Sequence, residues 1–120
     1  MTRAVRTYLH DLLYQIDHLE RFTQGGEAAF RQSALIQYAV RHAYEIIGEV
    51  VKRLPEDLLA TQPNIRWRDI KGLWDIIIHQ YHRIELDPIW AAVQDLPNLK
   101  AAIEAMLRTL PPPETEERHE

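Results

Sequence analysis

The sequence predicts an all-α protein, an up-down bundle of four to five helices. Apolar residues recur at three-and-four spacing through most of the chain. Breaks in that spacing fall at Gly25-Gly26, Pro55, Pro63-Asn64 and Pro111-Pro112-Pro113, where glycine and proline end helices or open turns. No segment keeps the two-residue period of a half-buried strand. Even the β-branched run Ile76-Ile77-Ile78 sits inside a helical period.

The first helix covers residues 3–22, with Leu9, Leu12, Leu13, Ile16, Leu19 and Phe22 on one face. Gly25-Gly26 supplies a turn. A second helix is expected from Glu27 to Arg53, with Phe30, Ala34, Leu35, Tyr38, His42, Ile46 and Val50 along its apolar stripe. Gly48 inside it costs helix propensity, which close approach of another helix would explain. Pro55 begins a short turn through Leu59. The third main helix is expected from Trp67 to His82. Asp87-Pro88 reads as an N-cap followed by a first-turn proline, opening a fourth segment that runs to Leu110. Residues Asp95 to Pro97 divide that segment, with Pro97 in the first turn of its second piece. The helical domain therefore spans 1–110. Residues 111–120, three prolines and then an acidic run, are expected to be a disordered tail.

A chain of 120 residues builds one modest core. Its net charge of −4 argues against a strongly basic nucleic-acid binder, yet leaves room for a local cationic groove. The absence of cysteine removes disulfide, thiolate-metal and cysteine-nucleophile readings. No signal-peptide pattern and no membrane-length apolar run is visible, so a soluble cytoplasmic protein is expected.

The candidate chemistry lies in Ile70 to Tyr81. On an ideal helix Ile70, Leu73, Trp74, Ile77 and Tyr81 share an apolar stripe, and Gly72, Asp75, Ile76 and His79 fall on the other side. Asp75 and His79 are one turn apart, and a carboxylate there would fix the tautomer of the imidazole for acid–base work. Such a pair is more often a surface contact, and a tyrosine on an apolar stripe is by default a core residue. Ile76 on the polar side suggests a face that packs against a second copy across a two-fold axis. His79 and His82 have metal-compatible spacing, but no His-Glu-x-x-His pattern or carboxylate-rich helix accompanies them, so neither a metal nor a cofactor is expected. Glu45 and Glu49 read as a solvated or interface edge. There is no P-loop, dinucleotide fingerprint or nucleophilic serine motif.

Three separated stretches resemble the HepT-like subgroup of HEPN-domain proteins, the toxin half of HEPN/MNT toxin–antitoxin pairs. They are Glu45-Ile46-Ile47-Gly48-Glu49, then Ile65-Arg66-Trp67-Arg68-Asp69-Ile70, and Ile78-His79-Gln80-Tyr81 followed by Leu86 to Trp90 and Asp95 to Pro97. The resemblance covers about Arg3 to Leu110. It implies a HEPN-like homodimer whose active helices face a shared cleft and cut RNA without metal. The family motif is arginine, four residues, histidine, one residue, tyrosine. By that resemblance His79 is the general acid or base, with Asp75 beside it, and Tyr81 accepts AMP from a nucleotidyltransferase antitoxin. The chain departs from the motif at its first position, where Trp74 replaces arginine and cannot fork onto a phosphate. Three readings follow. Arg66, Arg68 or Arg83 reaches the cleft, from the same or the neighbouring subunit; or Trp74 stacks on a base; or the domain is a degenerate module that binds a nucleotidyltransferase or nucleotide without cutting RNA. A generic nucleotide-binding helical domain is a further alternative.

Overall fold

The computed structural model describes residues 2–80, 82 and 85–111. Among them are seven helices and no strand: α1 Thr2–Phe22, α2 Gly26–Gln32, α3 Ala34–Val51, α4 Glu56–Leu59, α5 Trp67–His79, α6 Leu86–Gln94 and α7 Leu96–Thr109. The all-α expectation holds. The number of helices exceeds four to five because short connecting helices separate the long ones α1, α3, α5 and α7.

α3 packs between α1 and α5, and α1 also packs on α7. Arg6 near the start of α1 hydrogen-bonds the Pro111 carbonyl beyond the end of α7, while Glu20 near the end of α1 reaches Lys100 in the first half of α7. These two helices therefore run antiparallel. α6 bridges α5 and α7. Leu9, Leu12, Ile16 and Leu19 of α1 are fully buried against Val40, Ile47 and Val51 of α3 and Ile103 and Met106 of α7 in one core.

Three boundaries differ from the sequence reading. The helix expected over Glu27 to Arg53 breaks at Ser33, whose backbone is extended and whose Oγ accepts from the Ile36 N–H at 3.1 Å. That serine is an N-cap, satisfying a donor that the broken helix leaves open. Gln37 secures the break by donating to the Phe30 and Arg31 carbonyls at 2.9 and 3.1 Å. With the break comes a rotated stripe. Leu35, Tyr38 and His42 are exposed, Phe30 and Val50 of the expected stripe are buried, and Val40, Ala43, Tyr44, Ile47 and Val51 supply the rest of the core face. The third main helix stops at His79 rather than His82, because the backbone leaves the helical region at Gln80 after its N–H reaches the Ile76 carbonyl. Asp87 is not a cap, since α6 begins at Leu86 behind Glu85. Its carboxylate instead accepts from the Arg31 guanidinium at 2.6 Å and ties α2 to α6, beside Phe30 stacked on Trp90.

Other expectations are met. Gly26 turns the chain with φ +89°, a conformation costly for residues with a Cβ. Pro97 occupies the first turn of α7. Of the tail expected over 111–120, Pro111 is described and accepts a hydrogen bond from Arg6, and residues 112–120 lie outside the described residues. No described helix is long and apolar enough to cross a membrane.

Tyr44 carries a cost of burial. Its hydroxyl is buried without a hydrogen-bond partner among the described residues. Burial, and then the charge of Asp95, push its ionisation well above the ordinary tyrosine value of 10.0. A group whose folded pKa is raised keeps its contribution below the unfolded value and loses it above, as the unfolded chain ionises first. Tyr44→Phe is expected to raise stability by about 1 kcal/mol at neutral pH by removing an unsatisfied donor. The gain should widen at about pH 11, where the unfolded wild-type chain ionises this phenol. Denaturant melts of both proteins at the two pH values check this. A variant less stable than its parent at both would show that the hydroxyl has a partner in solution.

Candidate active site

The position of α5 is set at both flanks by residues that pack rather than react. Trp67, at its first turn, donates its indole N–H to the Leu59 and Gln62 carbonyls at 3.0 and 3.2 Å, fixing the helix start on α4. Further along, α5 approaches α3 at Gly48. A Cβ built there would lie 2.3 Å from the Trp74 Cβ. The close approach expected of Gly48 is therefore real, and the partner is Trp74. Early α3 lies beside late α5, since Tyr38, Arg41, His42 and Glu45 share a groove with Ile77 and Ile78. α3 and α5 are antiparallel.

This packing turns one face of α5 outward. Leu73 and Ile77 are buried, with Ile70 and Trp74 half-buried beside them. Arg68, Gly72, Asp75, Ile76 and His79 are exposed, as the helical spacing expects. His79 Nε2 lies 3.3 Å from Asp75 Oδ1, so the two side chains meet as their one-turn spacing expects. Both side chains are about two-thirds exposed, at 66% and 64%, which leaves the imidazole open to a substrate. It also limits what the contact contributes, since exposed polar pairs are screened by water.

Trp74 stands where the resemblance expects arginine. Lys52 Nζ lies 3.4 Å from its ring centroid, and its indole N–H is buried without a hydrogen-bond partner among the described residues. A ring held against Gly48 under an ammonium group is chiefly a packing element with a cation–π cover. Of the substitute arginines, Arg66 pairs with Asp69 at 3.0 Å in the first turn of α5. Arg68 is exposed on the same ridge as Asp75 and His79. Arg66 and Arg68 border a groove of about 770 Å³ between α5 and α6, with Tyr44, Gly72, Ile76 and Asp95 among its other walls. Tyr81 and Arg83 lie outside the described residues. Glu45 approaches His42 at 3.7 Å and Glu49 approaches Arg53 at 3.9 Å, so the two glutamates do not meet at one site. Among the described residues no cluster of three or more His, Asp or Glu could hold a metal ion.

A second groove, of about 470 Å³, was not foreseen from the sequence. Tyr38, Arg41, His42 and Glu45 of α3 line it together with Ile77 and Ile78 of α5. The sequence reading placed Tyr38 and His42 on a core stripe. The competing and more apolar stripe of Val40, Ala43, Ile47 and Val51 was the signal that could have turned them outward.

Over residues 12–106 the chain matches the family model described as ribonuclease HepT-like. It belongs to the ribonuclease HepT-like family. Among its relatives is a Methanocaldococcus jannaschii protein named as a putative RNase, 31% identical over 110 residues, covering 90% of this chain and 91% of that one. Another, from Thermococcus cleftensis and named as a probable ribonuclease HepT, is 34% identical over 110 residues, covering 88% and 98%. A third, again from Methanocaldococcus jannaschii and named as a putative RNase, is 34% identical over 104 residues, covering 85% and 95%. No solved structure gives a significant match. The HepT-like assignment thus agrees with the helical fold and with the resemblance carried by the motifs around α3 and α5.

Proposed function

We propose that this HepT-like chain is a metal-independent endoribonuclease, the toxin of a toxin–antitoxin pair, acting as a homodimer with a shared cleft. The observation that carries the reading is the Asp75–His79 pair, exposed at the end of a helix whose other faces are packed. In RNA cleavage of this kind, a base takes the ribose 2′-hydroxyl proton as that oxygen attacks the adjacent phosphorus. The 5′-oxygen then leaves with a proton from an acid, giving a cyclic phosphate and a 5′-hydroxyl. An imidazole serves either proton transfer, and a two-fold dimer supplies two copies of His79.

The phosphate needs a cation that Trp74 does not provide. Arg68 is the replacement that the ridge favours. Arg68, Gly72, Asp75 and His79 follow one another at four-, three- and four-residue intervals, all exposed. A second α5 laid antiparallel across the ridge near Gly72 and Asp75 brings Arg68 of that copy to His79 of the first. Gly72 suits such an approach, since no atom lies within 4 Å of a Cβ placed there. The nucleotidyltransferase antitoxin acts on the same region. It transfers AMP from ATP to the Tyr81 oxygen, with pyrophosphate leaving, and the added anion blocks RNA by bulk and like charge.

The test is cleavage of RNA by the purified chain in excess chelator. Cleavage with cyclic-phosphate ends is expected, together with a mass gain of one adenylate when a cognate nucleotidyltransferase and ATP are added. The second reading, a degenerate module that binds its nucleotidyltransferase without cutting RNA, rests on Trp74 alone. It predicts an inert parent that Trp74→Arg converts into a nuclease. A parent that already cuts RNA removes it.

A further inference from the structure

We infer that the groove between α3 and the C-terminal half of α5 is a nucleotide subsite, taking one unpaired RNA base on Tyr38 and its phosphate on Arg41. This deepens the ribonuclease reading and rests on it for the identity of the ligand as RNA. Three features of the groove converge. The first is an exposed aromatic: Tyr38 is 69% exposed, with Leu35 one turn before it 81% exposed. An outward tyrosine beside an outward leucine on a helix with a full core face is a surface that water does not favour.

The second feature is the cation. The Arg41 guanidinium lies over the Tyr38 ring, 5.3 Å from its centroid. Tyr38 nevertheless keeps most of its surface open, so a base has room to stack beside the guanidinium. Aromatic rings and arginine planes together are the usual platform for unpaired bases, since every base has a π-face. Arginine also offers donors in a fork that matches phosphate oxygens. Also lining the groove, His42 Nδ1 lies 3.7 Å from Glu45 Oε1, so the one carboxylate among its described lining residues is beside an imidazole.

The third feature is location. The groove's floor on α5 is Ile77 and Ile78, and Ile78 immediately precedes His79. A strand whose base sits on Tyr38 therefore leads toward the end of α5 that carries the imidazole. The subsite holds a nucleotide neighbouring the scissile one, without contributing to proton transfer.

The test uses the full chain carrying His79→Ala, which binds RNA without consuming it, and a fluorescein-labelled single-stranded RNA read by anisotropy. In that background Tyr38→Ala should weaken binding by roughly tenfold, and Tyr38→Phe should bind like its parent. Arg41→Gln should weaken binding and flatten the dependence of affinity on salt by about one phosphate contact, which Tyr38→Ala should not. Tyr38→Ala binding within twofold of its parent overturns the subsite, as does no RNA binding by the parent. AMP alone binding as tightly as RNA also overturns it, in favour of a free nucleotide. Sedimentation showing that Tyr38→Ala dissociates a dimer overturns it in favour of a second copy on this face. The two readings fail separately. If the wild-type chain cuts RNA while the Tyr38 and Arg41 variants bind normally, only the subsite falls. If it binds RNA through Tyr38 and Arg41 yet never cuts it, only the nuclease falls.

Discussion

Replacing Gly48 with alanine is expected to destabilise the protein by about 2–3 kcal/mol, although alanine is the better helix former. Helix propensity alone would make the substitution stabilising by about 1 kcal/mol. The contact decides the sign. The new Cβ would fall 2.3 Å from the Trp74 Cβ and 2.6 Å from both its Cγ and Cδ1. A Cβ is tied to the backbone and cannot rotate away, so α3 and α5 must separate. Separation would loosen the packing of Leu73 and Ile77, which α5 buries on the same side. Thermal melting should show a fall of roughly 8–12 °C for a chain of this size. Adding Trp74→Ala should recover only part of it, because alanine retains the Cβ that makes the shortest contact. A Gly48→Ala protein as stable as wild type would mean that the two helices are not this close.

How much of this was legible in the sequence differs from element to element. α1 and α5 have single strong stripes, and their buried residues were readable from spacing because no second stripe competes. The Gly48 contact was readable as a close approach, since a glycine in mid-helix costs stability without a packing reason. α3 was harder. Leu35, Tyr38 and His42, continued by Ile46 and the buried Val50, satisfy helical periodicity as well as Val40, Ala43, Ile47 and Val51 do. Only the break at Ser33, set by its side chain and by Gln37, decides which stripe meets α1 and α5. A capping serine is a weak local signal against a long apolar pattern, so the helix reads as continuous and the outward residues Leu35, Tyr38 and His42 as core. The groove at Tyr38 and Arg41 was hidden for the same reason. The Asp75–His79 pair was legible because it depends on one helix alone. Whether an arginine replaces Trp74 depends on how helices of separate copies meet, which local spacing does not encode.

His79→Ala is expected to lower the rate of RNA cleavage by about 10²–10⁴-fold, the range for loss of a positioned acid or base. Melting temperature should hardly move, because His79 is exposed and its polar contact among the described residues is with the exposed Asp75. RNA affinity should also stay near the parent value, placing the loss in the chemical step. The size of the Asp75 effect separates two roles for the carboxylate. An exposed ion pair at 64% carboxylate exposure is worth at most about 1 kcal/mol, so Asp75→Asn should lose no more than about fivefold if Asp75 merely orients the ring. Single-turnover cleavage at saturating protein measures both variants directly. Loss of activity in Asp75→Asn matching that in His79→Ala would mean that the carboxylate is desolvated in the working cleft. In one subunit it stands in water, so the second copy of α5 would have to be what covers it. A small Asp75 effect beside a large His79 effect would instead leave the imidazole as the proton-transfer group in an open cleft. His79→Ala cutting RNA within tenfold of wild type would move the chemistry off this ridge altogether.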